Sequence, residues 1–339
     1  MSTIDRSRIL VGTCSWTDQA LVASGWYPPG ARSPEGRLRH YAARFPVVEA
    51  DTTYYGLPAP HIGHQWAQRT PAGFTFDVKA FAPLTGHPVR AAMLPADLRP
   101  PGPVERRLTS AELPRELIGE LWRRFAEGVR PLREAGRLGA VLVQFPPWLA
   151  PGPRGRARVA ACRAYAGDLP LAVEFRHPGW FGHTELPGTL GLVRECGMAL
   201  VAVDTSPRVP AAVPPVAEVT CPDLAVVRFH GRSAAWGRGS KEERFRHDYT
   251  SAELAPWAAR VRRLARGAAR VHVLFNNCCG RAAVTAAETM RTLLAATAAT
   301  AATAAPSLPA RNGAASLRQQ GVERGGEGAQ RRAGGRVRP

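Results

Sequence analysis

Three ionisable side chains follow one another at the end of a short apolar stretch. Residues 171–173 are apolar, and Glu174, Arg176 and His177 come within the next four positions. Side chains alternate along a strand, so Glu174 and Arg176 point to one side. Ionisable groups are seldom wholly buried unless they are paired. The stretch therefore predicts either a buried ion pair that locks a strand end or the edge of a functional site.

The same change from apolar to polar side chains recurs at the ends of most other apolar stretches. Their polar and aromatic end residues, with those above, are Trp16, Glu49, Asp51, Lys79, Gln144, Glu174, Arg176, His177, Asp204, Arg228, His230, Asn276 and Asn277. If these stretches are strands of a barrel, their carboxyl ends converge on one mouth. An inert barrel does not need so many polar ends, so the pattern favours a functional site.

The carboxylates and imidazoles of this set suit acid–base chemistry or metal binding. We expect Glu174 to be the acid–base residue, assisted by His177 or His230, although a single imidazole is more often structural. Glu49 and Asp204 are predicted to be second carboxylates or ligands of a divalent metal. Crowded carboxylates suit either task, because like charges raise one pKa into a useful range.

The cations of the set suit the binding of an anion. Arg176 and Arg228 offer bidentate hydrogen bonds to phosphate or carboxylate, and Lys79 would complete the clamp. Lys79 is one of only two lysines, with Lys241, in a chain that otherwise uses arginine. A compact charge or a deprotonatable amine would explain it, so Lys79 is also a catalytic candidate.

The remaining candidates are aromatic and amide side chains. Trp16 and Tyr54 would stack on a sugar or base, although packing in the core explains such residues equally well. Asn276 and Asn277 end the last apolar stretch and are predicted to bind substrate.

Eight continuous apolar stretches indicate strands that are covered on both faces, as in a parallel sheet. They lie at 9–14, 47–51, 74–79, 139–145, 171–178, 198–204, 224–230 and 270–275. Helical patterns separate most of them, at 35–45, 62–68, 118–132, 154–165, 186–193, 250–264 and 281–296. This α/β alternation predicts a (β/α)8 TIM barrel; an open doubly wound sheet is the alternative.

The regions between and beyond these elements complete the predicted organisation. Residues 80–110 are rich in Pro and Arg and are predicted to form an extended loop. We expect one domain at 9–296 after an N-terminal extension at 1–8. Residues 297–339 combine an Ala/Thr tract, which extends or frays the last helix, with a disordered Arg/Gly-rich tail from 306.

The net charge of +18 suggests nucleic acid as a partner, but two facts weaken that suggestion. Arginine supplies 43 of the 45 basic residues, which is typical of a GC-rich coding bias as well as of a binding surface. Residues 306–339 carry seven arginines and two glutamates, which leaves +13 for residues 1–305.

The sequence shows neither a secretory signal core nor a stretch long enough to span a membrane. Six cysteines without disulfide-type spacing favour reduced thiols, so we expect a cytoplasmic protein. No nucleotide-cofactor motif is present, while a divalent metal stays possible. The oligomeric state is left open.

Several motifs together resemble the YecE-like family, also called domain-of-unknown-function family 72. They lie at 12–16, 27–28, 48–54, 66, 70–71, 74–79, 144–147, 173–177, 180, 204, 228–232 and 275–277. The resemblance covers about residues 9–295 and implies a TIM barrel without an established activity. The chain departs from the family pattern at Asp51 and Thr285, each in place of asparagine, and at Cys14–Ser15 in place of Ser-Gly.

The strand-end residues favour an enzyme: a hydrolase, lyase or isomerase acting on an anionic substrate that is phosphorylated or nucleotide-like. The alternative is a protein that binds nucleic acid or a small ligand and catalyses nothing. The two hypotheses differ in whether the carboxylates, and not only the cations, are needed for function.

Overall fold

The computed structural model of the chain describes residues 8–207, 209, 212–235 and 240–303. Residues 1–7 of the predicted N-terminal extension, 1–8, and residues 304–339 of the predicted tract and tail, 297–339, lie outside this range. The described residues form ten strands: β1 Ile9–Cys14, β2 Val47–Ala50, β3 Thr75–Lys79, β4 Val89–Arg90, β5 Arg107–Leu108, β6 Leu138–Gln144, β7 Leu171–Glu174, β8 Ala199–Asp204, β9 Leu224–Phe229 and β10 Arg270–Phe275.

Eight of these strands form a closed parallel barrel. Its order is β1-β10-β9-β8-β7-β6-β3-β2, and β1 pairs with both β2 and β10. Closure confirms the predicted (β/α)8 barrel and rules out the open sheet, which would leave two edge strands. The eight apolar stretches of the sequence correspond to the eight barrel strands.

The helices are α1 Gln19–Ala23, α2 Pro34–Ala42, α3 Pro60–Gln68, α4 Arg115–Glu134, α5 Pro153–Ala166, α6 Leu186–Glu195, α7 Lys241–Phe245, α8 Ser251–Gly267 and α9 Ala282–Thr303. The longer ones bury the apolar face that their spacing predicts; in α4 this face includes Leu121, Phe125 and Val129. Helix α9 continues through the described part of the Ala/Thr tract. None of the helices in the described part of the chain is both long and apolar enough to cross a bilayer.

The prediction of an extended loop over residues 80–110 is wrong. The segment folds back on itself through short 3₁₀ turns, and β4 pairs antiparallel with β5. Leu84, Val89, Leu94 and Leu108 are buried and belong to the main core. These apolar residues pack against the barrel, but their spacing in the sequence follows neither a helical nor a strand period. The sequence pattern therefore did not predict that they belong to the core.

Two apolar regions hold the barrel together. The larger one fills the space between the strands and the helices. The smaller one lies inside the barrel and includes Val47, Leu142, Val201 and Val226. The interior side chains form a packed floor beneath the carboxyl ends of the strands.

Candidate active site

A polar side chain at a strand end points into the barrel when an even number of positions separates it from an interior residue of the same strand. Glu49 stands two positions after the interior residue Val47, and Arg228 two positions after Val226. Alternation along a strand sends both side chains inward. Glu174, two positions after Ala172, does the same. These three groups are almost wholly buried and form the charged layer above the apolar floor.

Arg228 joins the two buried carboxylates. Its Nε and Nη2 donate to the two carboxylate oxygens of Glu49 at 2.8 and 2.7 Å, and its Nη1 donates to Glu174 Oε2 at 2.5 Å. Burial raises the pKa of the Glu49 carboxyl, and the charges of Arg228 and Lys79 offset part of that rise. One guanidinium therefore carries the counter-charge for two glutamates that stand on different strands.

Glu174 accepts hydrogen bonds from three further side chains through its other oxygen. Gln144 Nε2 donates to Oε1 at 2.7 Å, Arg176 Nη1 at 3.3 Å and His230 Nε2 at 3.0 Å. Burial favours the neutral acid, but Arg228, His230 and Arg176 outweigh it and hold the pKa of Glu174 well below its usual range. At neutral pH Glu174 is a carboxylate whose two oxygens are both engaged.

His230 connects this carboxylate to the end of β10. Its Nδ1 lies 3.0 Å from Nδ2 of Asn276, an amide nitrogen that can only donate. Nδ1 therefore accepts, and the proton of the ring is on Nε2, where it is donated to Glu174. Burial lowers the pKa of His230 to about 4, so the imidazole is neutral at pH 7.

Lys79 lies at the end of β3 beside a group of aromatic rings. Its Nζ is 4.5 Å from the centroid of the Tyr54 ring. The Tyr54 ring contacts that of His87 at 5.5 Å, and His87 contacts Trp148 at 5.8 Å. Trp148 is 62% exposed, so this aromatic group opens to solvent. Burial and the charge of Arg228 lower the pKa of Lys79, and nearby carboxylates oppose that shift.

Asp204 belongs to a different cluster. It stands at the parity of Leu200 and Ala202, which face the helices. Arg232 donates twice to its carboxylate, at 2.8 and 2.7 Å, Tyr249 OH donates at 2.7 Å and Trp257 Nε1 at 2.6 Å. Asp204 thus ties β8 to α8 and to the segment before it.

Glu49 and Asp204, the predicted metal pair, therefore point to opposite faces of the barrel wall. Glu49 points into the interior and is bound by Arg228, whereas Asp204 points toward the helices and is bound by Arg232, Tyr249 and Trp257. Among the described residues, no group of three or more His, Cys, Asp or Glu side chains has an arrangement suited to a metal ion.

Three other predicted site residues take positions beside or behind the mouth. Trp16 is buried against Trp66, with ring centroids 5.2 Å apart. Asn277 is buried and donates to the backbone carbonyl of His247. The His177 ring accepts from the backbone of Gly179 and so caps the turn after β7. None of these contacts reaches Glu174.

Sequence reasoning missed His87 and Trp148. His87 lies in the segment that was predicted to be a loop, and Trp148 follows two prolines beyond β6. Neither residue belongs to a stretch with helical or strand periodicity, so the sequence did not predict it. The outward direction of Asp204, by contrast, follows from the alternation of side chains along β8.

A closed (β/α)8 barrel with a charged layer and an aromatic group at its carboxyl mouth is the class of protein that the fold and site define. The chain belongs to the family described as "Protein of unknown function DUF72", which matches residues 10–312. This confirms the YecE-like resemblance, because the two names denote one family.

Relatives match nearly the whole barrel. UPF0759 protein YunF of Bacillus subtilis (strain 168) is 29% identical over 292 residues, which cover 84% of this chain and 94% of that protein. A DUF72 family protein of Enterococcus faecalis V583 superposes with a TM-score of 0.69 at 28% identity, covering 85% of this chain and 95% of that one. For a DUF72 family protein of Thermotoga maritima MSB8 the TM-score is 0.67 at 28% identity, with 84% and 98% covered.

Proposed function

We propose that the barrel mouth is the active site of an enzyme, a hydrolase, lyase or isomerase, that acts on a small anionic substrate. A phosphorylated compound suits the mouth best. Lys79 and Arg176 bind the anion, and Tyr54 and Trp148 pack against the rest of the substrate. Asn276 orients it through the amide that also contacts His230.

This proposal rests on the position of the Lys79 ammonium over the Tyr54 ring. Within the described residues, its Nζ has no hydrogen bond or ion pair; it lies over the face of Tyr54, and the nearby carboxylates of Glu49 and Glu174 are hydrogen-bonded to Arg228. A cation that is not paired directly with a carboxylate attracts an anion. The side chain of Arg176, 22% exposed, adds a second cation on the same rim.

In this proposal Glu174 orients the cations. Its oxygens accept from Arg228, Arg176, His230 and Gln144, so the carboxylate fixes the geometry in which the mouth meets its ligand. Preorganised donors of this kind stabilise charge that develops on a substrate. The acid–base role of Glu174 stays a prediction. To accept a proton, the carboxylate would have to lose one of the hydrogen bonds that its oxygens now accept.

Thermal denaturation with inorganic phosphate, pyrophosphate, sugar phosphates and nucleoside monophosphates tests the proposal. An anion that binds the folded state at about a hundred times its Kd adds about 2.7 kcal/mol and raises the Tm by several degrees. We expect Lys79→Met and Arg176→Gln to lose that rise and the exposed Arg130→Gln to keep it. Equal rises in all four proteins, or none in the wild type, would overturn the proposal.

Turnover separates the enzyme from a protein that only binds. Compounds that raise the Tm are incubated with catalytic amounts of protein, and product is followed by NMR. The alternative of nucleic-acid binding predicts affinity that falls steeply with salt. On α4 the exposed arginines are largely neutralised, since Arg123 pairs with Glu120 and Arg130 with Glu134. That helix therefore offers no strong basic face.

A further inference from the structure

The chemistry of Lys79 differs from that of every arginine in the mouth. Arginine is always charged, whereas the amine of lysine can lose its proton and act as a nucleophile. The chain has 45 basic residues and only two lysines, so a fixed positive charge would here be supplied by arginine as it is elsewhere. One of those lysines stands inside the barrel at the mouth.

The surroundings of Lys79 shift its protonation equilibrium toward the neutral amine. The ammonium is held over the Tyr54 ring without an ion pair in the described part of the chain. Glu49 and Glu174, the buried carboxylates near it, are already hydrogen-bonded to Arg228. Burial and Arg228 accordingly lower the pKa of Lys79.

His87 supplies a proton acceptor in the same group. Thr85 donates its hydroxyl proton to the Ala82 carbonyl at 3.0 Å, so its oxygen accepts from His87 Nδ1 at 2.8 Å. The tautomer with the proton on Nδ1 leaves a lone pair on Nε2. Burial and the charges of Lys79 and Arg176 lower the pKa of His87 to about 4, so this lone pair is present at neutral pH.

We infer that Lys79 Nζ is a nucleophile that forms an imine with the aldehyde or ketone group of an anionic substrate. The inference rests on the proposed function and names its substrate class. The amine lone pair attacks the carbonyl carbon, and a proton moves from nitrogen to oxygen to give a carbinolamine. The carbon–oxygen bond then breaks, the oxygen leaves as water, and a C=N bond remains. His87 relays the protons between nitrogen and oxygen.

Pyridoxal 5′-phosphate is a suitable probe, because it carries an aldehyde, a phosphate and an aromatic ring. The full chain is incubated with it, reduced with borohydride at successive times and digested, and the adducts are located by mass spectrometry. Lys241 is the internal control, since no other lysine exists. We expect Lys79 to react at least about tenfold faster than Lys241, because binding of the phosphate would hold the aldehyde beside the Lys79 amine. The lowered pKa of Lys79 acts in the same direction.

Two comparisons show whether the site directs the reaction. Inorganic phosphate should protect Lys79 and leave Lys241 unchanged, and pyridoxal without the phosphate should lose the preference. His87→Asn should slow adduct formation at Lys79 by about a hundredfold if it relays protons.

The outcomes of the two experiments are separable. Labelling of Lys79 no faster than Lys241 in the wild-type protein overturns the inference, and this result depends on no variant. If phosphate still raises the Tm through Lys79 and Arg176, the proposed anion site stands and only the imine fails. If phosphate also has no effect, both fail.

Discussion

At the scale of single residues, the Glu174 carboxylate accepts from four side chains, and three of them lie 30, 54 and 56 positions away in the sequence. Buried charges are costly unless they are paired, and removing one partner of a buried pair leaves the other charge uncompensated. Glu174 and Arg228 are both buried, whereas Arg176 is partly exposed. The partner that matters for stability is therefore Arg228.

Replacing Glu174 with glutamine should reveal this difference. Glu174→Gln keeps the shape and removes the charge that Arg228 and His230 face, so we expect a loss of about 3–5 kcal/mol in the free energy of unfolding. Arg176→Gln should cost less, about 1 kcal/mol, because Arg228 still supplies the counter-charge of Glu174 and Arg176 is partly exposed. Urea denaturation of the two variants and the wild type measures both values.

Glu127→Gln on α4 is the control, since Glu127 is half-exposed and pairs with Arg123. A loss of 3–5 kcal/mol in both Glu174→Gln and Arg176→Gln would mean that residues 174–176 are a structural ion pair. The catalytic assignment of Glu174 would then be abandoned.

His230 should make stability depend on pH. Its pKa is about 4 in the folded protein and about 6.5 in the unfolded chain, so the unfolded state binds more protons between these values. Its contribution is complete above about pH 6.5 and is lost as the pH falls toward 4. We expect wild type to lose about 1 kcal/mol more than His230→Gln between pH 6 and pH 5 in denaturant titrations. Parallel pH profiles would contradict the assignment.

At the scale of the elements, α3 and α4 pack closely against each other, and each has a glycine at the contact, Gly63 in α3 and Gly128 in α4. A Cβ added to Gly128 of α4 would lie 2.0 Å from the carbonyl oxygen of Pro58, just before α3, and one added to Gly63 would lie 3.2 Å from the Gly128 carbonyl. The absence of side chains at these positions permits the backbones to meet. The segment between β2 and β3 is thereby held against α4.

Gly128→Ala and Gly119→Ala form a matched pair on α4. At Gly128 the new methyl meets rigid backbone, and we expect a loss of about 3 kcal/mol in the free energy of unfolding. At Gly119 the methyl would lie 3.4 Å from Tyr165, an ordinary contact, so helix propensity should stabilise the protein by up to about 1 kcal/mol. Equal effects of the two substitutions would show that α3 and α4 do not depend on this close approach.

At the scale of the whole molecule, the barrel closes through β1 and β10, and α9 is the last described element. Residues 306–339 contain few large apolar side chains, so we expect that they do not bury enough surface to offset chain entropy. We expect a chain that ends at residue 305 to keep its Tm within a few degrees. A larger loss in calorimetry would show that the segment packs on the barrel.

The sequence alone determined the alternation of parallel strands with helices and the end at which the polar groups collect, whereas closure of the sheet into a barrel was decided by the tertiary structure. Eight apolar stretches, separated mainly by helical periods, indicate strands that are covered on both faces, and parallel strands place their carboxyl ends together. Glu49, Lys79, Arg228 and His230 were predicted on this ground, and all four belong to the described mouth. The parity of each strand also carried information, since it separates Glu49 from Asp204.

Only the tertiary structure decided which charges meet. Arg228 pairs with Glu49 and Glu174, which are 179 and 54 positions away, because closure of the sheet brings their strands into one layer. His87 joins Lys79 and Tyr54 from a segment without any periodic pattern. Local sequence patterns record which face of an element is apolar. They do not record how distant side chains pack, because that follows from strand register and from the folding of irregular segments onto the barrel.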